Sequence, residues 1–589
     1  MNKHYFYTLA VLFLPIVILY SGSLNYDFIA IDDAGQLHQN PKVLNWSWSN
    51  IVELFSSETI GMYQPLTSLF FSLLGALFGF KSALTFHLFS LSFHLANTLL
   101  VFLLGKHLFK NKQKAMLLAF LFGLHPLAVE SVAWISATST VLFSFFFLAA
   151  TLAYCNFLQS NKNSWIQISL LMFVLGAFCK VQILPFVAVL FLIDFLNGLP
   201  LFEKKRLVQK TPFVLVAVVF GLIALHFRGG HSGMSHENYK ALYLLPSQLF
   251  WYIHKTFVPL NLGIVYDWPL QLGETNYYLS CFFLVAIAVA FYYLRKKKLF
   301  VFGLLFYLCN ILLHTAAFSE FLGPFSDRYA YISTLGIWIA ALSLISDKRN
   351  AALKYFVLVA VYAFLAKAQL KTWESTIALW TNNLTHETAT FSNGMRGNLY
   401  YEDNKLALAK ADFEKVDQQP DARLDPDKYN YLYTALGVME SKADKKKAVA
   451  YFLKAATISP EVPNFVNLAT AYQAIQVYDK AEALFLQCNA KKPNNKDVYI
   501  KLSALYFESK QHDKAVRFLN KAIDLGFKDI LFYKFRAYFQ IALGNVEKAE
   551  EDIQVAIKMD KKVNNGIVKD EQLRSLIHNL QSLKKNTKK

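Results

Sequence analysis

Cysteine is scarce in this sequence, with 5 residues in 589. Four of them lie in or beside hydrophobic segments, and Cys488 stands alone in the polar C-terminal part. No Cys-x-x-Cys pair and no Cys/His spacing typical of a zinc site occurs. These absences exclude a disulfide-rich secreted scaffold and a zinc-finger protein.

Charged residues are also few. They make up 17% of the chain, against 55% hydrophobic residues, and the mean hydropathy is +0.31. Over residues 1–370 the charges are confined to short clusters between segments rich in Leu, Phe, Val and Ala, whereas the sequence from residue 371 onward is polar. We therefore predict a polytopic membrane domain over 1–370, a junction over 371–390 and a soluble domain over 391–589.

Hydrophobic segments long enough, or nearly long enough, to cross about 30 Å of hydrocarbon recur through the membrane domain. The first has no convincing cleavage site, so we interpret it as a retained transmembrane helix rather than a signal peptide. We predict about eleven α-helical spans, over residues 5–22, 84–105, 115–128, 139–158, 165–179, 182–198, 211–227, 279–294, 299–315, 330–346 and 352–370. Two further segments, 66–80 and 240–260, are predicted to lie at the membrane surface.

Lys and Arg are concentrated in alternate loops of the membrane domain, which the positive-inside rule assigns to the cytoplasm. Four such clusters occupy residues 106–114, 204–210, 295–298 and 348–354. An odd number of spans then places both the loop around Asp32 and the soluble domain outside the cytoplasm. Since orientation and solvated helix faces account for the net charge of +18, we predict no nucleic-acid partner.

A repeat of about 34 residues runs through the soluble domain. Each unit has a small residue in the second of two predicted helices and a large apolar residue four positions later. The small residues are Ala409, Ala448, Ala481, Ala515 and Ala549, and the apolar residues are Phe413, Phe452, Phe485, Leu519 and Ile553. This pattern is typical of tetratricopeptide repeats, antiparallel helix pairs stacked as an α-solenoid, with an unrelated helical bundle as the alternative. Four to five such units predict a surface that binds a protein or peptide.

Two adjacent carboxylates, Asp32 and Asp33, follow the apolar run Phe28–Ile31 in the first outer loop. An ionised carboxylate at this position can act as a general base towards a substrate hydroxyl. The alternative is a carboxylate that caps a turn at the membrane surface, and the sequence leaves both interpretations open.

Five more polar positions are candidates. Glu130 lies near membrane depth, where a carboxylate usually faces a cavity or a partner, or else bonds nearby backbone. Lys180 stands between two apolar segments, where it either holds a phosphate or extends its amine to the interface. Asp327 and Arg328 offer a guanidinium that matches phosphate geometry, or only a local ion pair. His87, on a hydrophobic helix, either lines the same space or is a satisfied core residue.

These residues fall in short motifs whose order and spacing resemble those of the transmembrane and tetratricopeptide-repeat protein O-mannosyltransferases and their bacterial relatives. The motifs are Ile31-Asp32-Asp33 with Asn40-Pro41-Lys42-Val43, Tyr63-Gln64-Pro65-Leu66-Thr67, Phe86-His87-Leu88, His125-Pro126 through Glu130 to Ser136, Lys180, and Asp327-Arg328-Tyr329-Ala330-Tyr331, with Trp373 and Trp380 at the junction. The resemblance covers nearly the whole chain, including the order of its domains.

The resemblance implies an all-α, polytopic bundle of the GT-C glycosyltransferase fold, followed by the repeat solenoid. Members use a polyprenyl-phosphate-linked sugar, and their proposed catalytic group is an acidic residue in the first outer loop, which Asp32 or Asp33 would match. Lys180 and Arg328 would hold the donor phosphate.

Glu130, Asp327 and His87 would orient substrate in this interpretation. Two positions depart from the family pattern. Gln64 stands where relatives usually have Arg, and Val181 follows Lys180 where animal members tend to have Glu. Both departures concern the donor site, so they leave the identity of the donor open.

We expect an inverting glycosyltransferase that moves mannose or another hexose from a polyprenyl-phosphate donor to Ser or Thr of extracytoplasmic proteins, with the repeats binding the acceptor. The alternatives are a non-catalytic membrane scaffold and a glycosyltransferase that acts on a lipid or glycan. The sequence requires no cofactor, although two adjacent carboxylates can hold a divalent cation with a substrate phosphate. We expect a bacterial inner-membrane protein whose active-site loops and repeats lie outside, and a location in the endoplasmic reticulum is topologically equivalent.

Overall fold

A computed structural model describes residues 3–228, 238–266, 275–314, 325–346, 354–385, 389–420, 424–527, 529–560 and 570–587. The regular elements of these residues are helices, with no β-strand among them. The all-α prediction is therefore confirmed. The chain divides into two compact units, Met1–Ser392 and Asn393–Lys589.

Long helices alternate with short ones in the first unit. They are α1 (Lys3–Tyr20), α2 (Pro41–Leu44), α3 (Trp48–Ser56), α4 (Pro65–Phe78), α5 (Leu84–Phe109), α6 (Lys112–Gly123), α7 (Val129–Ala133), α8 (Thr138–Ser160), α9 (Asn163–Cys179), α10 (Phe186–Leu196), α11 (Lys204–Arg228), α12 (Asn238–Phe257), α13 (Thr275–Leu294), α14 (Lys298–Ile311), α15 (Ala330–Ser343), α16 (Phe356–Leu370) and α17 (Thr376–Asn383). Short 3₁₀ segments include Pro126–Ala128, Ile135–Ala137, Val181–Ile183, Leu312–His314, Asp327–Tyr329 and Lys371–Trp373.

Six helices among the described residues are long and apolar enough to cross a membrane. The number rises to seven if Lys112–Gly123 and Pro126–Ala133, which are bent by 52° at the break between them, form one span. Four further apolar helices, Pro65–Phe78, Asn163–Cys179, Val181–Leu196 and Lys298–His314, are shorter. The first unit is thus a multi-pass membrane domain, and the count of about eleven spans stays a prediction.

The first polar loop is folded into short helices between α1 and α4. The side chains of Asn40 and Ser47 accept hydrogen bonds from backbone N–H groups and so cap the starts of α2 and α3. Leu37 and Val43 of this loop pack against Phe86 of α5 in one apolar cluster. The loop that carries the two aspartates is therefore held against the helices below it.

Helix α15 begins directly after the turn that contains Arg328, and it crosses α14 at two glycines. A Cβ atom on Gly336 would lie 2.4 Å from the carbonyl oxygen of Gly303, and one on Gly303 would lie 2.5 Å from the amide nitrogen of Ala340. Only residues without a side chain allow this approach. The close crossing fixes the position of α15 and of the turn before it.

A buried polar group joins α15 to α5. The hydroxyl of Tyr331 lies 2.7 Å from Nδ1 of His94 and accepts a hydrogen bond from Nδ2 of Asn97 at 3.1 Å. The other ring nitrogen of His94 lies 3.0 Å from the carbonyl oxygen of Gly123. Both ring nitrogens of His94 and the amide nitrogen of Asn97 thus have partners within the helix core.

Among the described residues from Ala389 onward, the helices form five successive pairs followed by one further helix. They are α18 (Ala389–Glu402), α19 (Leu406–Gln418), α20 (Pro426–Ala443), α21 (Lys445–Ile458), α22 (Val462–Ala474), α23 (Tyr478–Lys491), α24 (Lys496–Glu508), α25 (His512–Asp524), α26 (Ile530–Ala542), α27 (Val546–Met559) and α28 (Glu571–Thr587). Each helix from α20 to α26 packs against its successor in the chain.

The predicted repeat positions occupy equivalent places in these pairs. The small residues lie on α19, α21, α23, α25 and α27, and all five are buried together with the apolar residues four positions later. The predicted solenoid of helix pairs is confirmed. The longer first spacing coincides with α20, which has 18 residues where α22, α24 and α26 have 13 each.

Candidate active site

Asp33 is buried and links the polar loop between α1 and α4 to the segment between α6 and α8. Its Oδ2 accepts a hydrogen bond from the amide of Ile29 at 2.7 Å, and its Oδ1 accepts one from the amide of Ser136 at 2.9 Å and another from the Ser136 hydroxyl. Burial raises the pKa of Asp33 to about 6, against the lowering effect of these hydrogen bonds. Because both oxygens are engaged, Asp33 is suited to holding the two loops together.

Asp32 has a different environment. It is partly exposed, and no hydrogen bond from the described residues reaches its carboxylate. Burial raises the pKa of Asp32, and the positive charges of Arg328 and Lys180 oppose the rise. Asp32 is therefore the carboxylate of the pair whose oxygens remain available to a substrate hydroxyl.

Lys180 is a buried cation at the end of α9. Its Nζ donates a hydrogen bond to Oγ1 of Thr140 at 2.8 Å. The hydroxyl of Thr67, in the first turn of α4, donates to the carbonyl oxygen of the residue before Lys180 at 3.1 Å. Burial and the positive charge of Arg328 lower the pKa of Lys180 to about 7, whereas the carboxylates of Glu130 and Asp32 raise it. A buried charge is costly without a partner, so this position favours an anionic ligand.

Glu130 and Arg328 form a buried ion pair across two loops. Oε2 of Glu130 accepts a hydrogen bond from the Arg328 amide at 2.8 Å, and Oε1 accepts the guanidinium and, at 3.2 Å, the hydroxyl of Ser326. Burial lowers the pKa of Arg328, but the carboxylate of Glu130 raises it above its ordinary value. Glu130 thus keeps the guanidinium charged and in place.

Aromatic rings flank the Arg328 guanidinium. Its central carbon lies 5.3 Å from the ring centroid of Trp134 and 5.1 Å from that of Tyr329. A guanidinium over an aromatic face gains cation–π stabilisation. The ion pair and the two rings together restrict the orientation of this cation.

Asp327 points to a different partner from its neighbour. Its Oδ1 accepts a hydrogen bond from the hydroxyl of Tyr266 at 2.6 Å, and the same hydroxyl accepts one from the amide of Gly263 at 2.8 Å. Burial and the negative charge of Glu130 raise the pKa of Asp327. The Asp327 side chain therefore links the turn Asp327–Tyr329 to Tyr266. Glu130 is the carboxylate that pairs with Arg328.

His87 lies on the supporting side of the first loop. Its Nε2 lies 3.2 Å from the carbonyl oxygen of Tyr26, to which it donates a hydrogen bond, and its charged neighbour is Asp27. The structure therefore brings together Asp32, Lys180, Glu130 and Arg328. The side chains of Asp33, Asp327 and His87 instead bind other parts of the protein and support the loops that carry these four residues.

Two aromatic contacts at the site were not predicted as such. His314 is buried and stacks on Tyr329 with ring centroids 4.1 Å apart, within electrostatic range of Lys180 and Arg328. Trp373 stacks on Trp134 with centroids 5.6 Å apart. A histidine at the end of an apolar helix was the available sequence signal for the first contact. The second joins residues too far apart in the chain for a local pattern to reveal.

Gln64, the first departure from the family pattern, precedes α4. Its side chain is buried, and neither its amide nitrogen nor its amide oxygen has a hydrogen-bond partner among the described residues. Buried side-chain amides usually form hydrogen bonds, so both atoms of this amide can bind a ligand. Thr67, in the first turn of the same helix, donates to the carbonyl oxygen of the residue before Lys180, so Gln64 begins the helix that contacts the chain next to this cation.

A divalent cation has few ligands to use at this site. The described residues contain no group of three or more His, Cys, Asp or Glu side chains arranged to hold a metal ion. Both oxygens of Asp33 already accept protein hydrogen bonds, so Asp32 is the one carboxylate of the pair left to coordinate. We derive no step through a metal ion.

Comparison with known proteins adds to this geometry. Residues 63–227 match the family model of the dolichyl-phosphate-mannose-protein mannosyltransferases, and residues 476–538 match that of the tetratricopeptide repeat. The first match includes Glu130 and Lys180 and leaves Asp32 and Arg328 outside its limits.

Named relatives are similar over parts of their length. The mouse (Mus musculus) protein O-mannosyl-transferase TMTC3 is 36% identical over 20% of this chain and 13% of its own length. The Caenorhabditis elegans protein O-mannosyl-transferase F38B6.6 is 28% identical over 31% and 27%, and human TMTC4, also named a protein O-mannosyl-transferase, is 29% identical over 22% and 20%. The chain thus matches less than a third of each of these relatives.

Solved structures of MamA also share similarity with this chain. One, from AMB-1, is 19% identical over 30% of this chain and 94% of its own, with a TM-score of 0.25. The order of a mannosyltransferase domain and tetratricopeptide repeats is the architecture of the transmembrane and tetratricopeptide-repeat O-mannosyltransferases, and it confirms the resemblance of this chain to that family.

Proposed function

We propose that this protein is a membrane-bound, inverting glycosyltransferase of the GT-C type. It transfers mannose, or another hexose, from a polyprenyl-phosphate-linked donor to Ser or Thr hydroxyls of extracytoplasmic proteins. The matched mannosyltransferase domain supports the reaction class, and the repeats support a protein acceptor. The names of the relatives, which are protein O-mannosyl-transferases, support mannose as the first sugar to test.

One observation carries the proposal. Asp32, a carboxylate with no hydrogen bond from the described residues, interacts electrostatically with the buried Lys180 and the partly buried Arg328. A glycosyl transfer from a lipid phosphate needs these two features, a base for the acceptor and positive charge for the leaving group. A scaffold that only anchors partners needs neither.

The reaction has one displacement step. The acceptor hydroxyl oxygen attacks the anomeric carbon, and its proton passes to the carboxylate of Asp32. The bond between the anomeric carbon and the phosphate oxygen breaks, with its electron pair leaving on the phosphate. Lys180 and Arg328 bind the donor phosphate and stabilise the charge that develops on it as the bond breaks. The products are a glycoside of inverted anomeric configuration and the polyprenyl phosphate.

Supporting residues hold these groups in place. Glu130 fixes the guanidinium of Arg328, and Asp33 fixes the turn that carries Asp32. The orphaned amide of Gln64 offers the donor a neutral hydrogen-bonding group where the family usually has a charged one. This difference leaves the donor phosphate with fewer cations than in relatives that carry Arg.

The test compares Asp32→Asn and Asp33→Asn by glycopeptide mass analysis of secreted and envelope proteins, with membrane abundance measured in parallel. Asp32→Asn removes the base, so we expect a loss of transfer of about 100-fold or more at normal abundance. Asp33→Asn replaces one carboxylate oxygen by an amide nitrogen, which cannot accept a hydrogen bond from a backbone N–H group such as that of Ile29. We therefore expect a lower membrane abundance of this variant and a smaller loss of transfer per molecule than in Asp32→Asn. Asp27→Asn, an exposed carboxylate in the same loop, should transfer normally.

The mass added to Ser or Thr in the wild type identifies the sugar. Full transfer by both Asp32→Asn and Asp33→Asn would contradict the proposal. A glycoprotein profile that is unchanged even when Asp32 and Asp33 are both replaced by Ala would favour a lipid or glycan acceptor, or the scaffold.

A further inference from the structure

We propose that residues 371–385, here called the junction segment, position the active-site loops. The segment contains the 3₁₀ turn Lys371–Trp373 and helix α17, and the chain continues from it into the repeat unit. It contacts three loops that carry or support the residues to which we assign chemistry. This inference rests on the proposed function, because it states which groups of that site the segment holds.

The first contact supports the backbone next to Asp32. Oγ1 of Thr376, at the start of α17, accepts a hydrogen bond from the amide of Ala30 at 2.9 Å. Ala30 lies between Ile29, whose amide binds Asp33, and the catalytic carboxylate two residues later. Thr376 therefore restrains the backbone segment that leads to Asp32, the proposed general base.

The second contact supports the Trp134 ring, which lies beside the guanidinium of Arg328. Trp373 is buried and stacks on Trp134 at an interplanar angle of 26°. The guanidinium of Arg328 lies over the Trp134 ring at 5.3 Å. Trp134 contacts both Trp373 and Arg328, so displacement of Trp373 would allow the Trp134 ring and the Arg328 guanidinium to move.

The third contact reaches Asp327 through Tyr266. Oδ1 of Asn383 accepts a hydrogen bond from the amide of Val265 at 3.3 Å. A Cβ atom on Gly263 would lie 2.5 Å from the same Asn383 oxygen, so the two chains are in close contact. This packing places the Tyr266 hydroxyl that donates to Asp327.

The contacts serve groups with different roles, which makes the inference testable. Thr376 acts through Ala30 on the base, and Trp373 acts through Trp134 on a phosphate-binding cation. Loss of the first should slow the chemical step, whereas loss of the second should weaken donor binding. General damage to the fold would lower the amount of active enzyme and would leave the Michaelis constant of the donor unchanged in both cases.

The kinetic experiment uses the full-length protein in lipid nanodiscs, a polyprenyl-phosphate mannose donor and a Ser/Thr peptide acceptor. Thr376→Val should lower kcat about fivefold with an unchanged KM for the donor, as loss of one hydrogen bond predicts. Trp373→Leu should raise the KM of the donor roughly fivefold with a smaller change in kcat. Thr376→Ser keeps the acceptor oxygen and Trp373→Phe keeps a stacked ring, so both should stay near wild type.

Hydrogen–deuterium exchange of the same proteins gives a readout that does not depend on activity. Peptides covering residues 28–33 should exchange faster in Thr376→Val and at the wild-type rate in Thr376→Ser. Equal impairment of the Val and Ser variants, or unchanged exchange with normal kcat in Thr376→Val, would overturn the inference while the proposed function stood. Absence of transfer by the wild type, with exchange altered only in the Val variant, would overturn the function while the loop contact stood.

Discussion

At the residue scale, Asp32 and Asp33 are neighbours in sequence but differ in the hydrogen bonds that they accept. Asp33 takes three from the protein, and Asp32 takes none from the described residues. Two carboxylates with such different surroundings can serve different purposes. In the proposed mechanism this contrast gives the proton-accepting role to Asp32 and the structural role to Asp33, a choice that the sequence alone leaves open.

The charges around Asp32 predict how activity depends on pH. The base must be ionised, so activity falls as the pH drops through the pKa of Asp32. The positive charge of Lys180 lowers this pKa. Lys180→Gln removes that charge, so the acidic limb of the profile of kcat/KM against pH should move to higher pH, in addition to an overall loss of rate.

The matched control for this pH shift is Lys42→Gln. Lys42 lies in the same loop but pairs with Glu53 at 3.7 Å, so its removal should leave the acidic limb in place. An acidic limb that is identical in wild type and Lys180→Gln would mean that Asp32 does not set the rate at low pH.

Much of the candidate site could be predicted as separate residues, but their pairing could not. Glu130 and Arg328 are 198 positions apart, and Asp33 and Ser136 are 103 apart. Residue type and position near a membrane surface mark such groups as functional. Which carboxylate meets which cation depends on how the loops fold over the helices, and no local pattern contains that information.

At the scale of elements, hydrophobic length predicted most helices of the membrane domain, because each must bury its backbone polar groups internally. The breaks were harder to place. The 52° bend between Lys112–Gly123 and Pro126–Ala133 follows from Pro126, which cannot continue the preceding helix. The 3₁₀ turns that carry Lys180 and Arg328 into position are too short to have a periodicity of their own.

The crossing of α14 and α15 predicts a localised sensitivity. A Cβ on Gly336 would meet backbone atoms of α14 at 2.4 and 2.6 Å, so Gly336→Ala must separate the two helices. We expect a loss of stability of about 1–3 kcal/mol, and lower activity because α15 carries the Arg328 turn at its start. Thermal unfolding of the purified protein in detergent would measure the first effect.

A glycine in an open position provides the comparison. A Cβ on Gly221 of α11 would meet only a methyl group of Leu184, at 3.8 Å. Gly221→Ala should therefore keep or raise the melting temperature, since alanine favours helix. Equal melting temperatures for the two alanine variants would show that the α14–α15 crossing is less tight than the structure has it.

At the scale of the whole molecule, the distribution of Lys and Arg predicts that the Asp32 loop and the repeats share one side of the membrane. This arrangement would let an acceptor bound by the repeats reach the catalytic loop without crossing the bilayer. The prediction requires an odd number of spans before the repeats, so the four shorter apolar helices contribute to the orientation together with the long ones.

Accessibility of single cysteines tests this arrangement directly. Asp27 is exposed in the first loop, Asp403 in the repeats and Lys110 between α5 and α6. The test uses the variants Asp27→Cys, Asp403→Cys and Lys110→Cys. In intact spheroplasts, a membrane-impermeant maleimide should label the first two, and it should label Lys110→Cys only after permeabilisation. The parent protein, whose cysteines are buried or partly buried, is the blank. Labelling of Asp27→Cys but not Asp403→Cys from outside would put the repeats in the cytoplasm and would remove their role in presenting an extracytoplasmic acceptor.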